Sequence, residues 1–300
     1  MDVSEYAADQ TKNCKLFSKI PEMLKGEPCF LGIDEAGRGP VLGPMVYATC
    51  FCPLSCKEKL ANLGCDDSKA LKEEQRDELF QKLDNCTDDF VGWIINILSP
   101  NYISTSMLSR TKYNLNSISH DTAIDLIKSV QNLGIELKEV YVDTVGSPVT
   151  YTAKLKERFP SIDITVESKA DATYPIVSAA SICAKVCRDK TVKNWKFSDK
   201  IQVAENYGSG YPSDPSTKAW LRQSVDPVFG FPDFVRFSWS TAKNILEDEA
   251  VAVEWPDEEE EEGDKKSNTP AITSFFSNDT KKRNRHTFFK ENHLNTVGSF

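Results

Sequence analysis

The run Cys29-Phe-Leu-Gly-Ile33 is continuously apolar and stops abruptly at two carboxylates, Asp34 and Glu35. Five apolar residues without alternation suit a strand covered on both faces. Gly37, Arg38, Gly39, Pro40, Gly43 and Pro44 follow, and the glycines and prolines force tight turns. Residues 45–52 are again apolar, and so short a connection makes this second strand antiparallel to the first. A strand buried on both sides demands layers above and below its sheet, so the chain folds as sheet plus covering helices.

The remaining pattern fills those layers. Residues 90–98 read as a third strand. Residues 71–83 read as a helix with Leu79, Phe80 and Leu83 on one face. A second helix over 117–133 aligns Ile124, Ile127 and Val130 and stops at Gly134. The next unit is a strand at 139–143 that ends in an acid, a helix at 151–159 and a strictly alternating strand at 162–166. Tyr174-Pro175 then opens a long helix to about residue 195, with proline in the favourable first turn. Helices at 215–224 and 241–253 form a C-terminal helical lobe. The expectation is an α/β fold with a mixed central sheet flanked by helices. Residues 1–27 are expected as a loosely ordered extension, 28–195 as the main domain, 196–255 as the lobe and 256–300 as a largely disordered tail.

Several function classes are disfavoured. No apolar run approaches the roughly 20 residues of a membrane span, and the N-terminus lacks the basic-then-apolar pattern of a secretory signal. The nine cysteines include no Cys-x-x-Cys pair and sit mostly among apolar neighbours, which suits buried thiols in a reducing compartment, cytosol or nucleus. Only His120 lies in the periodic part of the chain, so Ser-His or Cys-His catalysis would rest on it alone. No Gly-Lys-Ser/Thr follows the glycine-rich turn, which excludes a P-loop there. The net charge of −9 is concentrated in the acidic run from Asp257 to Asp264 and its surroundings, leaving the body nearly balanced. Charge therefore does not exclude a nucleic-acid partner.

Acids stand where core strands should be apolar. Asp34 and Glu35 end one strand, Asp143 ends Val140-Tyr-Val142, and Asp171 precedes the long helix. Asp163 differs, since it alternates with Ile162, Ile164 and Val166 and faces solvent. If the strands at 29 and 139 are neighbours, Asp34 and Asp143 meet at one sheet edge. Carboxylates a few ångströms apart repel by about 4 kcal/mol per pair at an effective dielectric of 20. Two readings are open: hard oxygen ligands for a pair of magnesium or manganese ions, or unrelated acids that pair with lysines and cap helices. Strict alternation sends Asp34 and Glu35 to opposite faces, so a shared site requires the chain to bend at or after Asp34.

Six segments then occur in order: Asp-Glu-Ala-Gly-Arg-Gly-Pro (34–40), Asp-Ser-Lys-Ala-Leu (67–71), Tyr-Val-Asp-Thr-Val-Gly (141–146), Lys-Ala-Asp (169–171), Ser-Ala-Ala-Ser-Ile-Cys-Ala-Lys-Val-Cys-Arg-Asp (178–189) and Tyr-Gly-Ser-Gly-Tyr-Pro (207–212). Over about residues 28–250 the chain closely resembles the type 2 ribonuclease H family, in the branch whose catalytic subunit works in a eukaryotic heterotrimer. The resemblance implies a ribonuclease H-like fold and cleavage of the RNA strand of RNA/DNA hybrids with two Mg²⁺ or Mn²⁺ ions. It also implies incision 5′ of single ribonucleotides embedded in duplex DNA, leaving 3′-hydroxyl and 5′-phosphate ends. By motif match Asp34, Glu35, Asp143 and Asp171 are the metal-binding catalytic acids. Gly37, Arg38 and Gly39 match the backbone that senses the ribose 2′-hydroxyl, Tyr211 the ring that stacks at the RNA-to-DNA junction, and Lys69 and Arg188 phosphate contacts. Two auxiliary subunits dock at the C-terminal region by the same resemblance, and the setting is nuclear replication and ribonucleotide excision repair.

Ala179, Ala180, Ser181 and Ala184 give the long helix a small-residue face suited to close packing. In the tail, Ile272-Thr-Ser-Phe275-Phe276 resembles the end of a sliding-clamp-binding motif, with Thr269 where glutamine is usual. Lys281-Lys-Arg-Asn-Arg285 is a small basic cluster. Two other readings compete. Another carboxylate nuclease of the same fold is disfavoured by the Gly-Arg-Gly and Tyr211 matches. A non-catalytic binding protein of the same fold predicts that at least one of the four acids is replaced, and none is.

Overall fold

A computed structural model describes residues 1–65, 71–111, 113–197, 203–204 and 206–252. Six strands form one mixed sheet: β1 (Cys14–Phe17), β2 (Cys29–Ala36), β3 (Met45–Pro53), β4 (Gly92–Leu98), β5 (Leu137–Asp143) and β6 (Asp163–Glu167). Their spatial order is β1-β4-β3-β2-β5-β6. The β2, β3, β4 and β1 neighbours pair antiparallel, whereas β2–β5 and β5–β6 are parallel. The short turn after Ala36 dictates the first hairpin, and helical crossovers dictate the parallel half.

Helices cover both faces. Short α1 (Ser4–Ala8), α2 (Met23–Gly26) and α3 (Lys57–Ala61) precede α4 (Glu73–Asn85), α5 (Pro100–Met107), α6 (Leu115–Asn132), α7 (Pro148–Arg158), α8 (Ala170–Thr173) and α9 (Pro175–Lys193). One core joins Phe30, Ala48 and Ile95 to Val177, Ala180 and Ala184 of α9 and to Phe80 of α4. The opposite core joins Leu31, Ile33 and Tyr47 to Ile124 and Ile127 of α6 and Tyr151 of α7. Helix α9 lies so close that a methyl on Gly32 would meet the backbone of Ile176 at 2.5 Å. The small residues of α9 therefore serve close packing against the sheet. Helices α10 (Pro215–Ser224) and α11 (Ser240–Glu249) build a third apolar cluster from Trp220, Leu221, Phe234, Val235 and Ile245, which closes onto Val41 and Leu42 of the turn after β2.

The N-terminal segment departs from expectation. It is no loose extension: β1 pairs with β4 as an edge strand, Tyr6 is buried and packs edge-on to Trp195 at 6.2 Å, and Leu24 is fully buried. Four residues carry too little alternation to be read as a strand, and pairing with β4 supplies what their pattern lacks. Helix α5 is likewise absent from the sequence reading, although Ser99 accepts from the Tyr102 N–H at 3.0 Å and Pro100 sits in the first turn. The expected tail lies outside the described residues, as do Lys69, the segment resembling a clamp motif and the basic cluster.

Candidate active site

Strand register brings the first two acids together. Ile33 pairs with Val142 across the parallel β2–β5 ladder, so Asp34 and Asp143 are the next residues on strands about 4.8 Å apart. Asp34 pairs with Ala48 and shares its face, toward α9. It is 4% exposed, and its Oδ1 accepts the Glu35 N–H at 2.8 Å. Burial pushes its carboxyl up to about 7. A hydrogen bond from Ser181 opposes the shift, Asp143 adds to it, and Lys185 opposes it more weakly. Lys185 Nζ itself donates to Ser181 Oγ at 2.7 Å, so α9 presents a hydroxyl and an ammonium to the acid.

Asp143 Oδ1 accepts the Ala170 N–H at 3.0 Å. The preceding Lys169 has φ 61° and ψ 36°, the only left-handed residue other than glycine among those described. That turn aims Ala170 at Asp143 and starts α8, where Asp171 is 5% exposed. Asp34 and Asp143 thus stand at the C-terminal ends of β2 and β5, and Asp171 follows directly after the Ala170 amide that Asp143 holds. Asp163 is exposed, in keeping with its alternation.

Glu35 differs from the expected bend. Strand β2 continues in regular register through Ala36, and Glu35 pairs with Tyr47, whose side chain belongs to the α6/α7 core. Glu35 therefore emerges on the face opposite Asp34. Burial, with a further contribution from Glu35, holds the Tyr47 and Tyr151 phenols above their ordinary range. Among the described residues no group of three or more His, Cys, Asp or Glu side chains is gathered tightly enough to hold a metal ion. The chemistry of the donor set nevertheless suits a hard divalent cation: the buried Asp34 and the half-buried Asp143 stand side by side at neighbouring strand ends.

Gly37, Arg38 and Gly39 follow immediately. Gly37 has φ +76°, and a Cβ there would collide with Nε and Cδ of Arg188 on α9. Arg188 is largely buried, which lowers its pKa. Gly39 faces Tyr211: a Cβ on it would lie 3.1 Å from Cε1 of that ring, which is 50% exposed. The loop bearing Tyr211 is held by α10, because Asp214 Oδ2 accepts the Ser209 N–H at 2.6 Å and Thr217 Oγ1 accepts the Gly210 N–H at 2.9 Å. Gly210 O in turn accepts the Val41 N–H at 2.8 Å. Five of the six expected substrate contacts thus surround one loop, and the sixth, Lys69, is outside the described residues.

One central residue escapes the sequence reading. Arg236 is fully buried and donates to three carbonyls: Nε to Gly43 O at 2.8 Å, Nη1 to Arg38 O at 3.2 Å and Nη2 to Gly37 O at 2.7 Å. Burial lowers its pKa to about 9, with Arg188 adding to the effect. Its guanidinium lies 4.9 Å from the Trp239 ring centroid, and Trp239 Nε1 donates to Gly39 O at 3.1 Å. The available signal was a lone cation within the apolar stretch Phe234-Val-Arg-Phe237.

A mixed sheet of this order, with carboxylates at the ends of its central parallel pair, defines an α/β protein of the ribonuclease H-like class. The family model for ribonuclease HII matches residues 31–242. The chain is 57% identical over 300 residues to a ribonuclease H2 subunit of Bos taurus, covering 99% of each. Ribonuclease H2 of Pyrococcus horikoshii OT3 is similar in structure at 35% identity and TM-score 0.60, over 73% of this chain and 98% of that one. The RNase HII of Archaeoglobus fulgidus, solved in complex with PCNA, is similar at 32% identity and TM-score 0.60, over 72% and 96%. The chain belongs to the ribonuclease HII family and is a ribonuclease of the hydrolase class.

Proposed function

We propose that this chain is the catalytic subunit of a type 2 ribonuclease H, cutting the RNA strand of RNA/DNA hybrids and incising 5′ of single ribonucleotides in duplex DNA. The products carry 3′-hydroxyl and 5′-phosphate ends. The observation that carries this reading is the buried Asp34 beside Asp143, with the Gly37–Gly39 backbone leaving the same strand end.

Asp34, Asp143 and Asp171 would supply hard oxygens for two Mg²⁺ or Mn²⁺ ions, and by motif match Glu35, on the other face of the strand end, would complete the set. Such ions, when bound, lower the pKa of the attacking water and stabilise the leaving oxygen. Gly37, Arg38 and Gly39 offer backbone polar groups to the 2′-hydroxyl, which is absent from DNA. Tyr211 stacks on the sugar at the junction, and Arg188 and Lys69 face phosphates. Arg236 keeps the sensing loop in one conformation.

The chain works with two auxiliary subunits, in the nucleus, during replication and ribonucleotide excision repair. A sliding clamp is a further partner, supported by the clamp complex of the Archaeoglobus relative. Among the described residues no helix is long and apolar enough to cross a membrane.

The test is cleavage of a duplex containing one ribonucleotide and of a uniform hybrid, with and without Mg²⁺, by the chain alone and with its partners. Cleavage is expected only with the metal. Asp34→Ala and Asp143→Ala should abolish it while leaving the circular-dichroism spectrum intact. Near-normal cutting by either variant would overturn the assignment.

A further inference from the structure

The backbone of the Gly37–Gly39 loop is gripped by Arg236, while the side chain of Arg38 turns toward α6. Its Nη2 donates to Oδ1 of Asn116, and its Nε is buried without a partner. Asn116 stands in the first turn of α6, and that turn is itself fixed: Asn114 caps it by accepting the Ser117 N–H at 3.0 Å. The same amide also meets the segment after Asp143. A Cβ on Gly146 would lie 3.0 Å from Asn116 Nδ2. One helical turn further, His120 Nε2 stands 3.4 Å from Val145 O, and its ring stacks on Tyr151 at 3.8 Å. One face of α6 therefore steadies both the arginine of the sensing loop and the connection leaving the Asp143 strand.

We propose that Asn116 is a positioning residue that holds the Arg38 guanidinium toward a substrate phosphate, an inference that rests on the nuclease reading above. The chemistry of the amide matters. An asparagine accepts a hydrogen bond from the guanidinium without cancelling its charge, so the cation is oriented and still available to an anion. An aspartate at the same place would hold the arginine equally well and neutralise it. Orientation and charge can therefore be separated by substitution.

The experiment uses the full chain in the assembly in which it is active, with Asn116→Ala, Asn116→Asp, Arg38→Ala and the Arg38→Ala/Asn116→Ala pair. Asn116→Ala should raise KM for hybrid about fivefold to tenfold and change kcat less than about twofold. The double variant should be no worse than Arg38→Ala alone, because Asn116 acts through Arg38. Asn116→Asp should melt no lower than wild type, yet raise KM and reduce the salt slope of binding by about one, the signature of one lost phosphate contact.

An unchanged KM in Asn116→Ala, or effects of Asn116 and Arg38 that simply add, would overturn the inference. So would an Asn116→Asp variant with wild-type KM and salt slope. Thermal melting of the same four variants separates this from the function itself. If the wild-type chain cuts neither substrate, the nuclease reading falls, and additive melting shifts would also sink the Arg38–Asn116 coupling.

Discussion

Arg236 Nη2 donates to Gly37 O at 2.7 Å, tying the C-terminal lobe to the loop that leaves the Asp34 strand. The same guanidinium holds the carbonyls of Arg38 and Gly43. Replacing it with methionine leaves three carbonyls without that donor at a fully buried position. At about 1 kcal/mol or more each, the loss is about 3 kcal/mol, which lowers Tm by roughly 6–12 °C for a chain of this size. Arg236→Lys keeps the charge but not the fork, so it should melt closer to wild type and still lose kcat/KM. Differential scanning calorimetry with hybrid cleavage checks both. A fully active Arg236→Met variant would show that the loop keeps its shape unaided.

Gly32→Ala tests how α9 is seated. The added methyl meets main-chain atoms of Ile176 at 2.5 Å, and these cannot rotate away as a side chain would. Overpacking of this kind costs about 1–3 kcal/mol. Moving α9 also moves Ser181 and Lys185 away from Asp34. Urea unfolding should show a lower midpoint, and cleavage should fall with it. A variant as stable as wild type would mean that α9 sits farther from the sheet.

The sheet's middle was legible because its strands are long, apolar and separated by strong turn residues. The runs at 29–33 and 45–52 became β2 and β3, and the strand carrying Asp143, whose place beside β2 the sequence left conditional, is its parallel neighbour. What failed to show depends on contacts between distant segments. Strand β1 draws its stability from β4, not from its own four residues. Arg236 can be buried only because three carbonyls from the other end of the chain satisfy its donors. Glu35 was legible in its direction: alternation sends it to the face opposite Asp34, and the regular register through Ala36 keeps it there without the bend that was expected. The family resemblance marked Gly39 and Tyr211 only as separate substrate contacts, and their meeting was not legible, since no local pattern links the two.

His120 supplies a pH dependence. Burial lowers its pKa below the usual 6.5, and Lys154 and Arg38 act in the same direction, while Val145 O and Asp121 oppose it. Protonation is thus easier in the unfolded chain. Its contribution to stability is fully present above about pH 6.5 and is lost as pH falls from there toward the folded value. Comparing wild type with His120→Gln, the wild type should lose Tm more steeply between pH 6.5 and 5. Parallel melting curves for the two proteins would remove this role from His120.

Tyr211 separates recognition from stability. Its ring is half exposed and rests beside Gly39, so Tyr211→Ala should change unfolding free energy by no more than about 0.5 kcal/mol. Stacking of an aromatic ring on a nucleic-acid partner is worth about 1–3 kcal/mol, so incision at a single ribonucleotide should fall by about tenfold or more. Cleavage within a uniform hybrid should suffer less, because such a substrate offers many registers and little junction. Tyr211→Phe keeps the ring and should stay near wild type on both. Equal rates for Tyr211→Ala and wild type on both duplexes would leave the ring without a part in substrate choice. An equal loss on both would make it a general contact instead of a junction sensor.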